Sequence, residues 1–236
     1  MRSNGIMIRL SILTLALASS ICGSDASAAP PVAPDTIQAR AQGCSTCHGS
    51  YGQGSSDEYF PRIAGKPQGY IFNQLQNFRD GRRSYPPMNY LLAYMHDDYM
   101  AELAAFFASQ KLTNQAPIGT TSKLDPTAER LVKEGISARG IPPCTSCHGP
   151  KLTGIEPGIP ALVGLHERYI TAQIEAWRVG TRRAKNPDCM HDIATRLNED
   201  EIKSIAAWLA SQQPPSPAIP AAAGTWRTPL TCGSQP

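Results

Sequence analysis

Cys44-Ser45-Thr46-Cys47-His48 and Cys144-Thr145-Ser146-Cys147-His148 are two copies of one pentapeptide, 100 residues apart in a chain of 236. Thiols at this spacing can reach the two vinyl groups on one edge of a porphyrin, and the next imidazole then meets one face of the iron. Cys-x-x-Cys-His is the attachment signature of c-type haem. With 7 Cys and 5 His in the chain, one chance match has a probability of about 0.004 and two about 10⁻⁵. A zinc half-site would need further ligands at suitable spacing, and a thioredoxin-like pair would need a βαβ pattern; the sequence offers neither. The reading is two covalently bound haems c, attached through Cys44, Cys47, Cys144 and Cys147. His48 and His148 are the proximal iron ligands.

The N-terminus says where attachment takes place. Arg2 and Arg9 precede the apolar run 10–18, and Ala26, Ser27, Ala28 and Ala29 follow. This is the pattern of a cleavable signal peptide over residues 1–29, too short and interrupted for a comfortable membrane span. Export to the periplasm agrees with the haem signature. Peripheral membrane association stays compatible with this reading. Cys22 follows bulky Ile21, so it reads as a thiol discarded with the signal rather than a lipid anchor. Without residues 1–29 the chain loses Arg2, Arg9 and Asp25, which leaves 20 basic and 18 acidic residues, or +2. Four haem propionates would take the balance to about −2, so the composition predicts no nucleic-acid partner.

The rest reads as one unit written twice. Pro61, Gly65, Tyr70, Gln74, Arg79 and Gly81 recur as Pro160, Gly164, Tyr169, Gln173, Arg178 and Gly180, all at an offset of 99. Met88 and Met190 match at 102, as do Phe106-Phe107 and Trp208-Leu209. The expected domains are 30–110 and 125–213, joined by a linker at 111–124 and followed by a Pro/Ala-rich tail at 214–236 expected to pack loosely. Each unit is small for an independent core, and a haem supplies the missing apolar mass.

Periodicity is helical throughout, without convincing strand alternation. Helices are expected at 35–43 and 126–135 leading into the haem signatures, at 68–80 and 167–179, at 97–109, and after Asn198, where Glu201 completes a capping box. The fold class is all-α.

The second axial ligand sets the chemistry, because a thioether raises the haem potential and closes the iron to substrates. Met190 is the only methionine downstream of the second signature. In copy one the repeat register selects Met88 over Met95 and Met100, which match the apolar positions Leu197 and Ile202. Both ligands are expected on loops folding back over the haem. His96 reads as a helix cap, His166 as surface, and His191 as a weaker rival to its neighbour Met190. The basic runs 79–83 and 178–183 offer Arg79, Arg83, Arg178 and Arg182 to the propionates, with Tyr70 and Tyr169 as hydroxyl donors.

The paired signatures, the stretches Ile63-Ala-Gly-Lys-Pro-x-Gly-Tyr-Ile and Gln74-Leu-x-x-Phe-Arg-Asp-Gly-Arg-Arg, and Ile205-Ala-Ala-Trp-Leu resemble the dihaem class I cytochromes c of the cytochrome c-four family. The resemblance spans nearly all of residues 35–212. It implies two tandem class I cytochrome c domains packed face to face, each wrapped around one haem, with His48/Met88 and His148/Met190 ligation. It implies an electron-transfer protein rather than an enzyme, passing single electrons between a quinol-oxidising complex or dehydrogenase and a terminal oxidase or other acceptor. Cys189 departs from the pattern. A disulfide with Cys232 is the default in an oxidising compartment. The rival is a dihaem oxidoreductase of the thiosulfate dehydrogenase kind, with one haem open to substrate or ligated by the Cys189 thiolate.

Overall fold

The computed structural model describes residues 34–56, 60–111 and 118–235, and the signal segment lies outside them. Helix α1 (Ile37–His48) starts where the Thr36 hydroxyl accepts from the Ala39 amide, and stops at Gly49, whose φ of 82° suits a residue without a Cβ. The first haem signature is therefore the last turn of one continuous helix, longer than the lead-in expected at 35–43. Copy two divides the same path into α5 (Ala128–Glu134), a 3₁₀ turn (Ser137–Arg139) and α6 (Cys144–His148). Gly135 and the pair Pro142-Pro143 account for the break, since neither residue type sustains a helix interior.

Helices α2 (Gln68–Arg79) and α7 (Glu167–Arg178) pack on α4 (Asp97–Ser109) and α9 (Glu199–Ser211), respectively. Helices α1 and α5 lie against the other flanks of α4 and α9. Apolar positions spaced three and four apart close two matching cores. Ala41, Ile71, Leu103, Ala104 and Phe107 fill one; Val132, Ile170, Ile202, Ile205 and Leu209 fill the other. Each fully buried large side chain contributes about 1.5–3 kcal/mol. The Asn198–Glu201 capping box forms as read, with both reciprocal bonds at 2.9 Å.

Three expectations need correction. The segments holding Met88 and Met190 are short helices rather than loops: α3 (Pro86–Leu92), where Pro86 presets the first turn, and α8 (Cys189–Ala194), capped by Asp188. The tail, though largely exposed, is tied down at points along its length. Trp226 donates to the Ser146 carbonyl at 2.6 Å, the Ala221 amide to Gly154 at 2.9 Å, and the Gly233 amide to Pro187 at 2.9 Å. Gly233 passes so near the chain that a Cβ there would lie 2.0 Å from the Asn186 oxygen. His166 is half-buried rather than surface, its Nε2 3.2 Å from the Ser55 carbonyl.

No strand forms among the described residues; an isolated antiparallel bridge between Arg83 and Arg182 joins the two copies. No described helix is long and apolar enough to cross a membrane.

Candidate haem sites

Both signature histidines are fixed by the same device. The His48 Nδ1 lies 2.9 Å from the Pro61 carbonyl and the His148 Nδ1 2.8 Å from the Pro160 carbonyl. A carbonyl can only accept, so Nδ1 carries the proton and Nε2 keeps the lone pair that a metal needs. Pro61 and Pro160 belong to the 99-residue repeat, so each copy brings its own orienting carbonyl. Burial holds both imidazoles below the usual histidine range, with Arg83 adding to the effect at His48 and Lys66 at His148. Burial likewise pushes the Cys44 and Cys144 thiols up to about 11.

In copy two, Cys144, Cys147, His148 and Met190 line one cavity that opens to solvent. Its walls are mostly apolar, from Ile170, Ile174, Ile193, Leu197, Ile205 and Leu209. In copy one, α3 carries Met88 into the cluster of Phe78, Leu92 and Met100, while the His48 ring meets Phe60 edge-on at 6.1 Å. Met100 is fully buried and Met95 packs against the same cluster, as expected of core side chains. His96 caps α4 from an exposed position, and His191 Nδ1 is held 2.8 Å from the Trp177 carbonyl.

Cys189 and Cys232 form a disulfide, with Cα atoms 5.6 Å apart. The sulfur once open to a role on iron is thus bonded to the tail. Thr228, Cys232, Ser234 and Gln235 form part of the cavity wall, a contribution that the tail's composition gave no sign of.

The four arginines separate into two pairs. Arg79 binds Asp80 and Asp97 at 2.9 and 2.5 Å, and Arg178 binds Glu175 at 2.7 Å; neither arginine is brought to the cavity. Their nearest acids lie within one turn or on the facing helix end, and surface pairs of that kind are worth at most about 1 kcal/mol. Arg83 and Arg182 meet between the copies in a two-fold arrangement. Arg83 donates to Tyr169, Gln173 and Gln74 at 3.1, 2.6 and 3.1 Å. Arg182 returns the pattern to Tyr70, Gln74 and Gln173 at 3.2, 2.9 and 2.7 Å. Each guanidinium also lies over the aromatic ring at one repeat position, Arg83 over Phe78 at 4.5 Å and Arg182 over Trp177 at 3.6 Å. Burial alone would raise the Tyr169 hydroxyl, yet the two arginines hold it below the usual tyrosine range.

Two cations escaped the reading of the sequence. Arg62 and Lys66 are 5 % and 4 % exposed and cross from copy one to the carbonyls of Val163 and Ala161, at 3.1 and 3.4 Å. Among the described residues no carboxylate pairs with Arg62, Lys66, Arg83 or Arg182. The buried Nε atoms of Arg62 and Trp177 also lack an acceptor. Buried cations and donors of this kind need anions. A porphyrin bearing carboxylates, fixed by two thioethers and an imidazole, fits the cavity, its donors and its charge. No group of three or more His, Cys, Asp or Glu poised to hold a bare metal ion occurs among the described residues.

The family model for cytochrome c matches residues 142–213. A thiosulfate dehydrogenase electron acceptor of Stutzerimonas stutzeri is 37 % identical over 171 residues, covering 72 % of this chain and 79 % of its own. Cytochrome c4 of Pseudomonas aeruginosa is 35 % identical over 175 residues, 73 % of this chain and 85 % of that one. This chain belongs to the dihaem cytochrome c4 family. The solved cytochrome c4 of Pseudomonas stutzeri superposes with a TM-score of 0.62 at 28 % identity, covering 75 % of this chain and 97 % of that one. A thiosulfate dehydrogenase, TsdBA from Marichromatium purpuratum, gives a TM-score of 0.65 at 30 % identity, covering 72 % of this chain and 36 % of that larger chain. Membership makes this an all-α, cytochrome c4-like dihaem electron carrier with covalently bound haem c.

Proposed function

We propose that this cytochrome shuttles single electrons in the periplasm between a dehydrogenase and a respiratory acceptor, through two His/Met-ligated haems. Cys44 and Cys47 hold the first haem and Cys144 and Cys147 the second. His48 with Met88, and His148 with Met190, supply the axial pairs. Arg83, Arg182, Tyr70 and Tyr169 receive the propionates at the junction of domains 30–110 and 125–213. When bound, the haems supply the one-electron couple. The polypeptide fixes the imidazole tautomer through Pro61 and Pro160, excludes water with an apolar wall, and places a thioether where an open site would invite substrate.

The observation that carries this reading is the cavity shared by His148 and Met190, beside a Cys189 whose sulfur is bonded to Cys232. A second iron bearing the Cys189 thiolate, one form of the oxidoreductase alternative, would need that bond broken. The relatives named as thiosulfate dehydrogenase electron acceptors point to an enzyme of that activity as the donor. Export by a signal peptide over residues 1–29 belongs to the same reading.

The test is a stopped-flow experiment on the purified two-haem protein. Mixing with a catalytic amount of thiosulfate dehydrogenase and thiosulfate should reduce both haems, while thiosulfate alone leaves them oxidised. Turnover of thiosulfate without the dehydrogenase, or carbon monoxide binding to the reduced second haem, would make the chain an enzyme instead.

A further inference from the structure

The two copies supply unequal charge to their junction. At the repeat offset of 99, Arg62 and Lys66 of copy one correspond to Ala161 and Leu165 of copy two. Copy one therefore sends two cations across, and copy two returns none from the same segment. Lys66 goes farthest. It leaves the chain just before α2, passes over the Tyr70 ring at 5.8 Å, and lines the cavity of His148, Cys144 and Met190. Its amine has one weak protein acceptor, the Ala161 carbonyl at 3.4 Å. An ammonium has three donors, so at least two remain for something in that cavity.

We propose that Lys66 is a positioning residue acting in trans: its ammonium pairs with a carboxylate of the second haem, binding copy one to the cofactor of copy two. The inference rests on the assignment of His148 and Met190 to that haem. Asp188, the one carboxylate among the residues lining that cavity, accepts from the Ala184 and His191 amides and makes no ion pair with Lys66 among the described residues. Arg62, Arg83 and Arg182 present like charge, and the Tyr70 and Tyr169 hydroxyls are engaged with Arg182 and Arg83, respectively. Burial, reinforced by Arg62, Arg182 and Arg83, pushes the amine of the protein alone well below the usual lysine range. A haem carboxylate reverses that balance, because an opposite charge at contact favours the ammonium. A fixed cation beside a haem in turn favours its reduced form, which carries one positive charge fewer.

The experiment uses the two-haem protein. Midpoint potentials of the two haems are followed separately through their resolved haem-methyl NMR signals, in wild type, Lys66→Gln and Lys66→Arg. The expected result is a fall in the second potential in Lys66→Gln, a smaller change in the first, and restoration of the second in Lys66→Arg. A second measurement needs no variant: on wild type with both haems, the Lys66 side-chain nitrogen should give the NMR signature of an ammonium at neutral pH. An unshifted second potential, an equal fall in both, or an amine already neutral near pH 7 would overturn the proposal. If instead the far-red methionine-to-iron band of the second haem is missing from wild type, the ligand assignment fails first, and the two failures are told apart.

Discussion

The two copies share one recipe for the proximal side of a haem and use different ones for the distal side. In both, the signature histidine leans on a proline carbonyl 12 or 13 residues on. On the distal side, copy one relies on Pro86 to start α3, and leaves Tyr90 and Tyr94 exposed around it. Copy two has Asp188 and a disulfide instead, with the tail laid along the cavity. The proximal device is local and travels with the repeat. The helix bearing Met88 or Met190 is held by different means in each copy.

Breaking attachment should give the largest effects. Cys44→Ser with Cys47→Ser, or Cys144→Ser with Cys147→Ser, should halve the haem per chain in a pyridine haemochrome assay. The second pair should cost more stability, because the cavity it empties is shared with α9 and the tail. Met88→Ala and Met190→Ala should each remove half of the far-red charge-transfer intensity, and lower the affected potential as the soft donor is lost. Equal spectra in wild type and both variants would refute the ligand assignment. Cys232→Ser sharpens the distal contrast: releasing a loop closed over 43 residues should cost about 2–4 kcal/mol. Chemical denaturation would measure the loss, with the second haem exposed to carbon monoxide before the first. The smallest effect is expected at the helix caps. Asn198→Ala should destabilise by about 1 kcal/mol, whereas His96→Ala, whose side chain makes no cap bond, should be nearly neutral by thermal melting.

What the sequence revealed follows from how local each cause is. The haem signatures, α2, α7 and the Asn198 capping box are written within a few residues of one another, and each reads directly. The register of 99 and 102 exposes the duplication and puts Met88 and Met190 at matching positions. Four features were hidden, three because the deciding partners are remote and the fourth because its helices are short. Arg79 and Arg178 look equivalent to Arg83 and Arg182 by spacing, and only packing shows which pair has acids beside it. Lys66 lies inside the stretch 63–71 and Arg62 immediately before it. The available signal was that copy two has Leu165 and Ala161 there. The tail's Pro and Ala content concealed a strap fixed by Trp226, Gly233 and Cys232. Short helices α3 and α8 carry too few residues for periodicity to register.

The facing guanidinia of Arg83 and Arg182 have a consequence for biogenesis. With Lys66 and Arg62 beside them, they form a cluster of four basic side chains whose positive charges oppose one another when no anion is present. A newly exported chain would then keep its halves apart, presenting each pentapeptide to the haem-attaching machinery in turn. The halves would close once four carboxylates had arrived, like a clasp that latches only over its cargo. A chain denied one haem by the Cys144→Ser and Cys147→Ser changes would then scatter X-rays as a longer particle than the mature protein, and an unchanged radius would rule the clasp out.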